Sequence, residues 1–189
     1  MLYASTFSPS MTSAPYIHET VERLSASGRW SWLVTLHPKT RPEVIERYRG
    51  MQGPNLLFVD SSAGVLPLLK TADVMLCDTS SICLEFMLLD RPVATYRTKV
   101  PGPHVIDVQD PPEIEDAISL AATRPAPLMD AARAYVDELH PYRDGESSRR
   151  VIQATHDFIR DHATELKRKP LNLWRRLQIR NAMDYYHFR

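Results

Sequence analysis

Asp78-Thr79-Ser80-Ser81 is the stretch of this 189-residue chain best suited to chemistry. It follows an apolar run at residues 74–77 and precedes another at 82–89. That order reads as a buried strand, a tight turn and a helix. Asp78 and Thr79 have turn and cap chemistry. Ser80 and Ser81 stand where free backbone N–H groups and the positive end of a helix dipole converge, a setting that suits phosphate or pyrophosphate. The same serines also serve as plain helix caps, and the segment alone fits both readings.

Three further groups follow predicted strands: Ser5, Thr6 and Ser8; His37 and Lys39; Asp60, Ser61 and Ser62. In a doubly wound sheet the loops beyond the carboxyl strand ends share one rim, where ligands bind. His37 is placed either to hydrogen-bond the backbone or to meet a phosphate and hand it a proton. Glu85 lies one helical turn after Ser81, positioned for a ribose diol or for solvent. Residues 142–150 hold Asp144-Gly145, then Ser147 and Ser148 before a helix, with Arg149 and Arg150 beside them. They form either a cap or a second phosphate-facing helix start. No Gly-x-Ser-x-Gly elbow, phosphate-binding Walker loop or Gly-x-Gly-x-x-Gly occurs.

These groups need a scaffold, and the hydrophobic pattern supplies one. Strands are predicted at residues 2–7, 32–36, 55–59, 74–77, 93–96 and 105–108. Helices are predicted at 17–26, 42–49, 65–71, 82–89, 112–122, 128–139 and 146–166. This alternation predicts an α/β fold, a doubly wound parallel sheet with helices on both faces. Residues 1–166 read as one domain and 167–189 as a basic amphipathic C-terminal tail. The tail has two readings: a helix packed back on the protein, or a surface helix on an anionic bilayer.

Composition narrows the classes. Hydrophobic residues make up 43% of the chain, enough for a core, and the formal net charge is zero, so nucleic acid is not an expected partner. Cys77 and Cys83 read as buried apolar residues without metal-ligand spacing, so no metal and no disulfide are expected. No run approaches the roughly 20 apolar residues of a membrane span, and the N-terminus does not read as a signal peptide. A cytoplasmic setting fits. Residues 1–7 read as a core strand without a lead-in, which suggests a piece of a longer polypeptide or a partner domain encoded elsewhere.

The order of these features resembles the C-terminal half of the CDP-glycerol:polyglycerophosphate glycerophosphotransferases, the teichoic-acid polymerase and primase family. The resemblance rests on residues 2–7, on His37-Pro38, and on Ala72-Asp73 through Asp78-Thr79-Ser80-Ser81. Asp90-Arg91-Pro92, Asp144-Gly145 and the cluster at 147–150 complete it. It implies the Rossmann-like, nucleotide-binding half of a GT-B fold. It further implies transfer of glycerol phosphate or a related polyol phosphate from a CDP-linked donor to a cell-envelope acceptor. His37, Ser80 and Ser81 would contact the diphosphate, Glu85 the ribose, and Thr6, Lys39, Asp78, Thr79, Asp144, Ser147 and Arg149 would complete the donor site. No cofactor or metal is implied. An N-terminal domain would supply the acceptor side and a second base, leaving this chain inactive alone. On the bilayer reading of its residues, the tail would hold the enzyme on the inner face of the plasma membrane; on the other reading it packs on the domain. Two departures stand out: Thr79 replaces an aromatic residue, and Ser5 replaces a proline. The alternatives are a nucleotide-sugar glycosyltransferase or epimerase domain of the same architecture, and a non-catalytic docking module.

Overall fold

A computed structural model describes residues 1–167 and 169–183. Six parallel strands form one sheet: β1 (Leu2–Ser5), β2 (Trp32–Leu36), β3 (Leu56–Phe58), β4 (Met75–Cys77), β5 (Val93–Tyr96) and β6 (Ile106–Val108). Their order is β3-β2-β1-β4-β5-β6. The order reverses between β1 and β4, the place where a doubly wound sheet opens a crevice at its carboxyl edge.

Alternation along the strands explains the two-sided core. Tyr3, Val34, Leu76 and Ala94 point to one face and pack with Ile17, Val21, Tyr48, Ile114 and Ile118. These come from α1 (Ala14–Ala26), α2 (Pro42–Gly50) and α5 (Ile114–Ala122). Leu2, Met75, Cys77 and Val93 point to the other face, against Leu69, Phe86, Ala132 and Val136. Those come from α3 (Leu66–Thr71), α4 (Ile82–Met87) and α6 (Ala126–Leu139). Successive residues of a strand face opposite sides, so strands covered on both sides must be apolar throughout, as β4 is. Cys77 and Cys83 are buried free thiols.

Some element ends differ from the sequence pattern for physical reasons. Helix α1 begins at Ala14 rather than at residue 17. Asp78 holds both the backbone N–H and the hydroxyl of Ser13 at 2.8 Å, which fixes where the helix starts. Pro15 then falls in the first turn, where its missing N–H costs nothing. Strand β1 ends at Ser5 rather than at residue 7, where the chain turns to the same carboxylate. Helix α4 ends at Met87, and turns through Leu88, Leu89 and Asp90 lead to a left-handed residue at Asp90 (φ 57°).

The chain forms two compact units, residues 1–141 and 142–189. Residues 142–166 thus fall in the second unit, with the tail. That unit contains α7 (Ser147–His162) and α8 (Leu173–Ala182). Positions 168 and 184–189 of the expected tail lie outside the described residues.

Candidate functional site

The site is built on one buried carboxylate. Asp78 leaves the end of β4 only 1% exposed. It accepts the Ser5 hydroxyl at 2.5 Å, the Thr6 backbone N–H at 2.9 Å, and both donors of Ser13. Four donors for two oxygens saturate the carboxylate, so Asp78 acts through the loops it ties together. Burial pushes its carboxyl above the ordinary range, against the pull of the donors from Ser5, Thr6 and Ser13. With Asp78 as the knot, the loop after β1 and the turn after β4 are locked at the switch point.

Above that knot a cleft of about 220 Å³ opens along the carboxyl edge. It gathers Ser5 from β1, His37 after β2, Ser61 after β3, and Ser80, Ser81 and Glu85 after β4. Four successive βα loops therefore meet at one place, as the spacing in the sequence predicted. Pro38 exits β2 beside His37, and the chain turns back so that the Lys39 N–H donates to His37 Nδ1 at 3.0 Å. With Nδ1 accepting, the neutral ring carries its proton on Nε2. Phe7 packs against the imidazole, ring centroids 4.3 Å apart, and Lys39 Nζ lies 5.4 Å from the Phe7 ring centre. The sequence reading missed Phe7, whose contact with residue 37 no local pattern encodes.

The turn itself is tight. Ser80 N–H donates to Asp78 O at 3.1 Å, and Cys83 and Leu84 N–H groups return to Ser80 O and Ser81 O. Helix α4 is only six residues long, so the dipole contributes through its first turn alone. The hydroxyls, the imidazole and the Ser81 and Ile82 amides are what this cleft offers an anion.

The family model for CDP-Glycerol:Poly(glycerophosphate) glycerophosphotransferase matches residues 2–157. The chain belongs to this family. As a glycerophosphotransferase-type domain it shares its fold with two solved proteins. TarM superposes with a TM-score of 0.54 at 11% identity, over 82% of this chain and 34% of TarM. A His-to-Ala variant of the wall teichoic acid polymerase TagF superposes with a TM-score of 0.53 at 13% identity, over 86% of this chain and 44% of TagF. The domain thus spans less than half the length of either relative. A sequence comparison with curated proteins finds no match. The fold class is the doubly wound parallel half that the resemblance implied.

Within the glycerophosphotransferase domain the other expected site residues are more dispersed. Thr79 lines a neighbouring cleft, and its hydroxyl accepts the Lys99 N–H at 2.8 Å. Thr6 is held by its backbone, and Lys39 is exposed beside Phe7. Asp144, Ser147 and Arg149 belong to the second unit. There Asp144 pairs with Arg150 and accepts the Glu146 N–H at 3.1 Å. The Arg150 guanidinium holds the Asp144 carboxyl well below the usual carboxylate range. Ser147 opens α7, and Arg149 pairs with Glu146 at 3.3 Å. Among the described residues no helix is long and apolar enough to cross a membrane.

Proposed function

We propose that this domain binds a CDP-linked glycerol phosphate or related polyol phosphate and forms the donor-binding half of a transferase that extends a cell-envelope polymer. The observation that carries this reading is the convergence of His37, Ser80, Ser81 and Glu85 on one cleft at the sheet's switch point. The diphosphate lies against the Ser80–Ser81 turn, where hydroxyls and amides face it. Glu85, exposed on the same cleft, accepts from a ribose diol. His37 donates from Nε2 to the diphosphate.

In the transfer, an acceptor hydroxyl oxygen forms a bond to the phosphorus that carries the polyol. The bridging bond of the diphosphate breaks, and cytidine monophosphate leaves with the bonding electron pair. His37 supports that developing charge by hydrogen bond or proton transfer. The proton of the acceptor passes to a base on a partner domain, which also binds the acceptor. The domain by itself therefore binds donor and turns over little.

The exposed face of α8 adds a location. Leu173, Trp174 and Leu177 are 63%, 73% and 58% exposed, with Arg175, Arg176 and Arg180 along the same helix. An apolar edge with a tryptophan and flanking cations suits an anionic bilayer surface, and this supports a reading in which the enzyme works beside a membrane-linked acceptor.

The deciding experiment is calorimetric titration of the domain with CDP-glycerol, CMP and a UDP-sugar. Binding of the cytidine compounds with no response to the UDP-sugar is expected. The reverse preference would transfer the domain to the nucleotide-sugar enzymes, and binding of none would leave it a docking module.

A further inference from the structure

Phe7 is 41% exposed and belongs to neither face of the core. Its backbone is nonetheless fixed on both sides. Just before it, the Thr6 N–H donates to Asp78 Oδ1 at 2.9 Å. Just after it, the N–H groups of Met11 and Thr12 close a turn on the Ser8 carbonyl at 2.9 and 2.8 Å. A single exposed phenyl is ordinary; what sets this one apart is its neighbours. Its ring meets His37 with centroids 4.3 Å apart and planes tilted by 33°, and Lys39 Nζ lies 5.4 Å from its centre. Rings attract at about this separation, and a cation within reach of the ring adds to the cluster.

Two contacts therefore act on the imidazole. The Lys39 N–H, 3.0 Å from Nδ1, engages one edge of the ring and leaves Nε2 to a ligand. One hydrogen bond still allows the ring to swing about that contact. Phe7 opposes the swing, because the imidazole cannot turn without giving up the ring pair. The three residues come from three loops: His37 follows β2, Phe7 follows β1, and Asp78, which anchors the residue before Phe7, follows β4. The buried carboxylate thus reaches the imidazole through Phe7.

We propose that Phe7 is the positioning residue of His37, holding the imidazole plane so that Nε2 meets the donor's diphosphate. This rests on the role given to His37 above and deepens it. Phe7 acts only through the ring it holds and makes no contact with the donor itself.

CDP titration of the domain, run as a double-mutant cycle with His37→Ala, tests this. Phe7 lies outside the core, so its variants are expected to fold. Phe7→Leu should weaken CDP binding about threefold to tenfold, the scale of one aromatic pair. Phe7→Tyr keeps the ring and should restore most of that loss. In the His37→Ala background, Phe7→Leu should change affinity by less than about twofold. In the unliganded domain, NMR couplings across χ1 of His37 should report one rotamer in wild type and Phe7→Tyr, and an average in Phe7→Leu. Undiminished CDP affinity in Phe7→Leu would overturn the inference. So would an equal loss in both backgrounds, since Phe7 would then act without His37, and so would a single His37 rotamer in Phe7→Leu. All three results leave the diphosphate reading standing. If His37→Ala binds CDP as well as wild type does, or wild type binds none, the role of His37 itself fails and this inference fails with it.

Discussion

The Ser5 hydroxyl donates to Asp78 at 2.5 Å, joining the ends of β1 and β4 across the reversal in strand order. The same carboxylate fixes the start of α1 through Ser13, and Ser13 in turn meets the buried Tyr3 phenol at 2.9 Å. One side chain therefore sets the positions of a strand end, a helix start and the turn that carries Ser80 and Ser81.

Asp78→Asn tests that arrangement. An amide offers one oxygen and one NH2 where the carboxylate offers two acceptors, so the N–H of either Thr6 or Ser13 must face another donor. Each buried donor left without an acceptor costs about 1–3 kcal/mol, and a loss of roughly 2–3 kcal/mol is expected. Urea unfolding with an unchanged m-value measures it. Stability equal to wild type would show that the network contributes nothing and that the loops are held by packing alone.

His37 can be divided by its two nitrogens. Asparagine reproduces an acceptor near Nδ1 and glutamine a donor near Nε2, and neither transfers a proton at neutral pH. If the ring only hydrogen-bonds the diphosphate, His37→Gln should retain donor affinity within about threefold while His37→Asn loses about tenfold. If it also passes a proton, both variants should reduce turnover of the two-domain enzyme roughly 10²–10⁴-fold. Steady-state kinetics of the full-length enzyme, paired with donor titration of the domain, separate the two cases. Unchanged kcat and unchanged affinity in both variants would make His37 a structural residue.

Local chemistry made most of the scaffold legible and only part of the site. β2 and β5 begin and end where their apolar runs do, because strands buried on both faces carry a continuous signal. His37, Ser80, Ser81 and Glu85 were readable because each follows a strand, and parallel strands bring such positions to one edge. The start of α1 was not readable, since it is fixed by a carboxylate 65 residues away. The four hydrogen bonds that Asp78 accepts tie together the loop after β1 and the start of α1, contacts far away in sequence that its type and its position at a strand end do not announce.

The basic tail has an electrostatic signature. Between residues 167 and 189 lie seven basic residues and one acidic, in a chain whose formal net charge is zero, so the first 166 residues carry a compensating net charge of −6. A bilayer rich in anionic lipid attracts each surface cation by about 1 kcal/mol, within a Debye length. Removal of residues 167–189 should lower sedimentation with anionic vesicles roughly tenfold or more, and 0.5 M salt should lower that of the intact chain to match. Neutral vesicles should bind both forms weakly. Equal sedimentation of intact and truncated chains would remove the membrane from the function.

Asp90 supplies a pH-dependent tie within the first unit. It sits at φ 57° beyond α4 and accepts from Arg133 Nε at 2.8 Å and from Arg124 Nη2 at 3.2 Å. The Arg133 hydrogen bond, then the charges of Arg133 and Arg124, hold its carboxyl below the ordinary range. A carboxylate depressed in the folded state contributes stability that is full above its unfolded pKa and is lost as pH falls through its folded pKa. The groups are about half exposed, so solvent screening keeps the contribution near or below about 1 kcal/mol. Asn tolerates the left-handed backbone almost as well as Asp, so Asp90→Asn removes the charge without adding strain. The variant should lie up to about 1 kcal/mol below wild type at pH 7. The gap should close as pH falls below about 4, the ordinary carboxylate range. Asp90→Ala should lose a further 1–2 kcal/mol or so at every pH, the cost of the left-handed conformation for a residue whose side chain cannot hydrogen-bond locally. A gap between wild type and Asp90→Asn that stays constant from pH 3 to pH 7 would assign the effect to shape and not to charge.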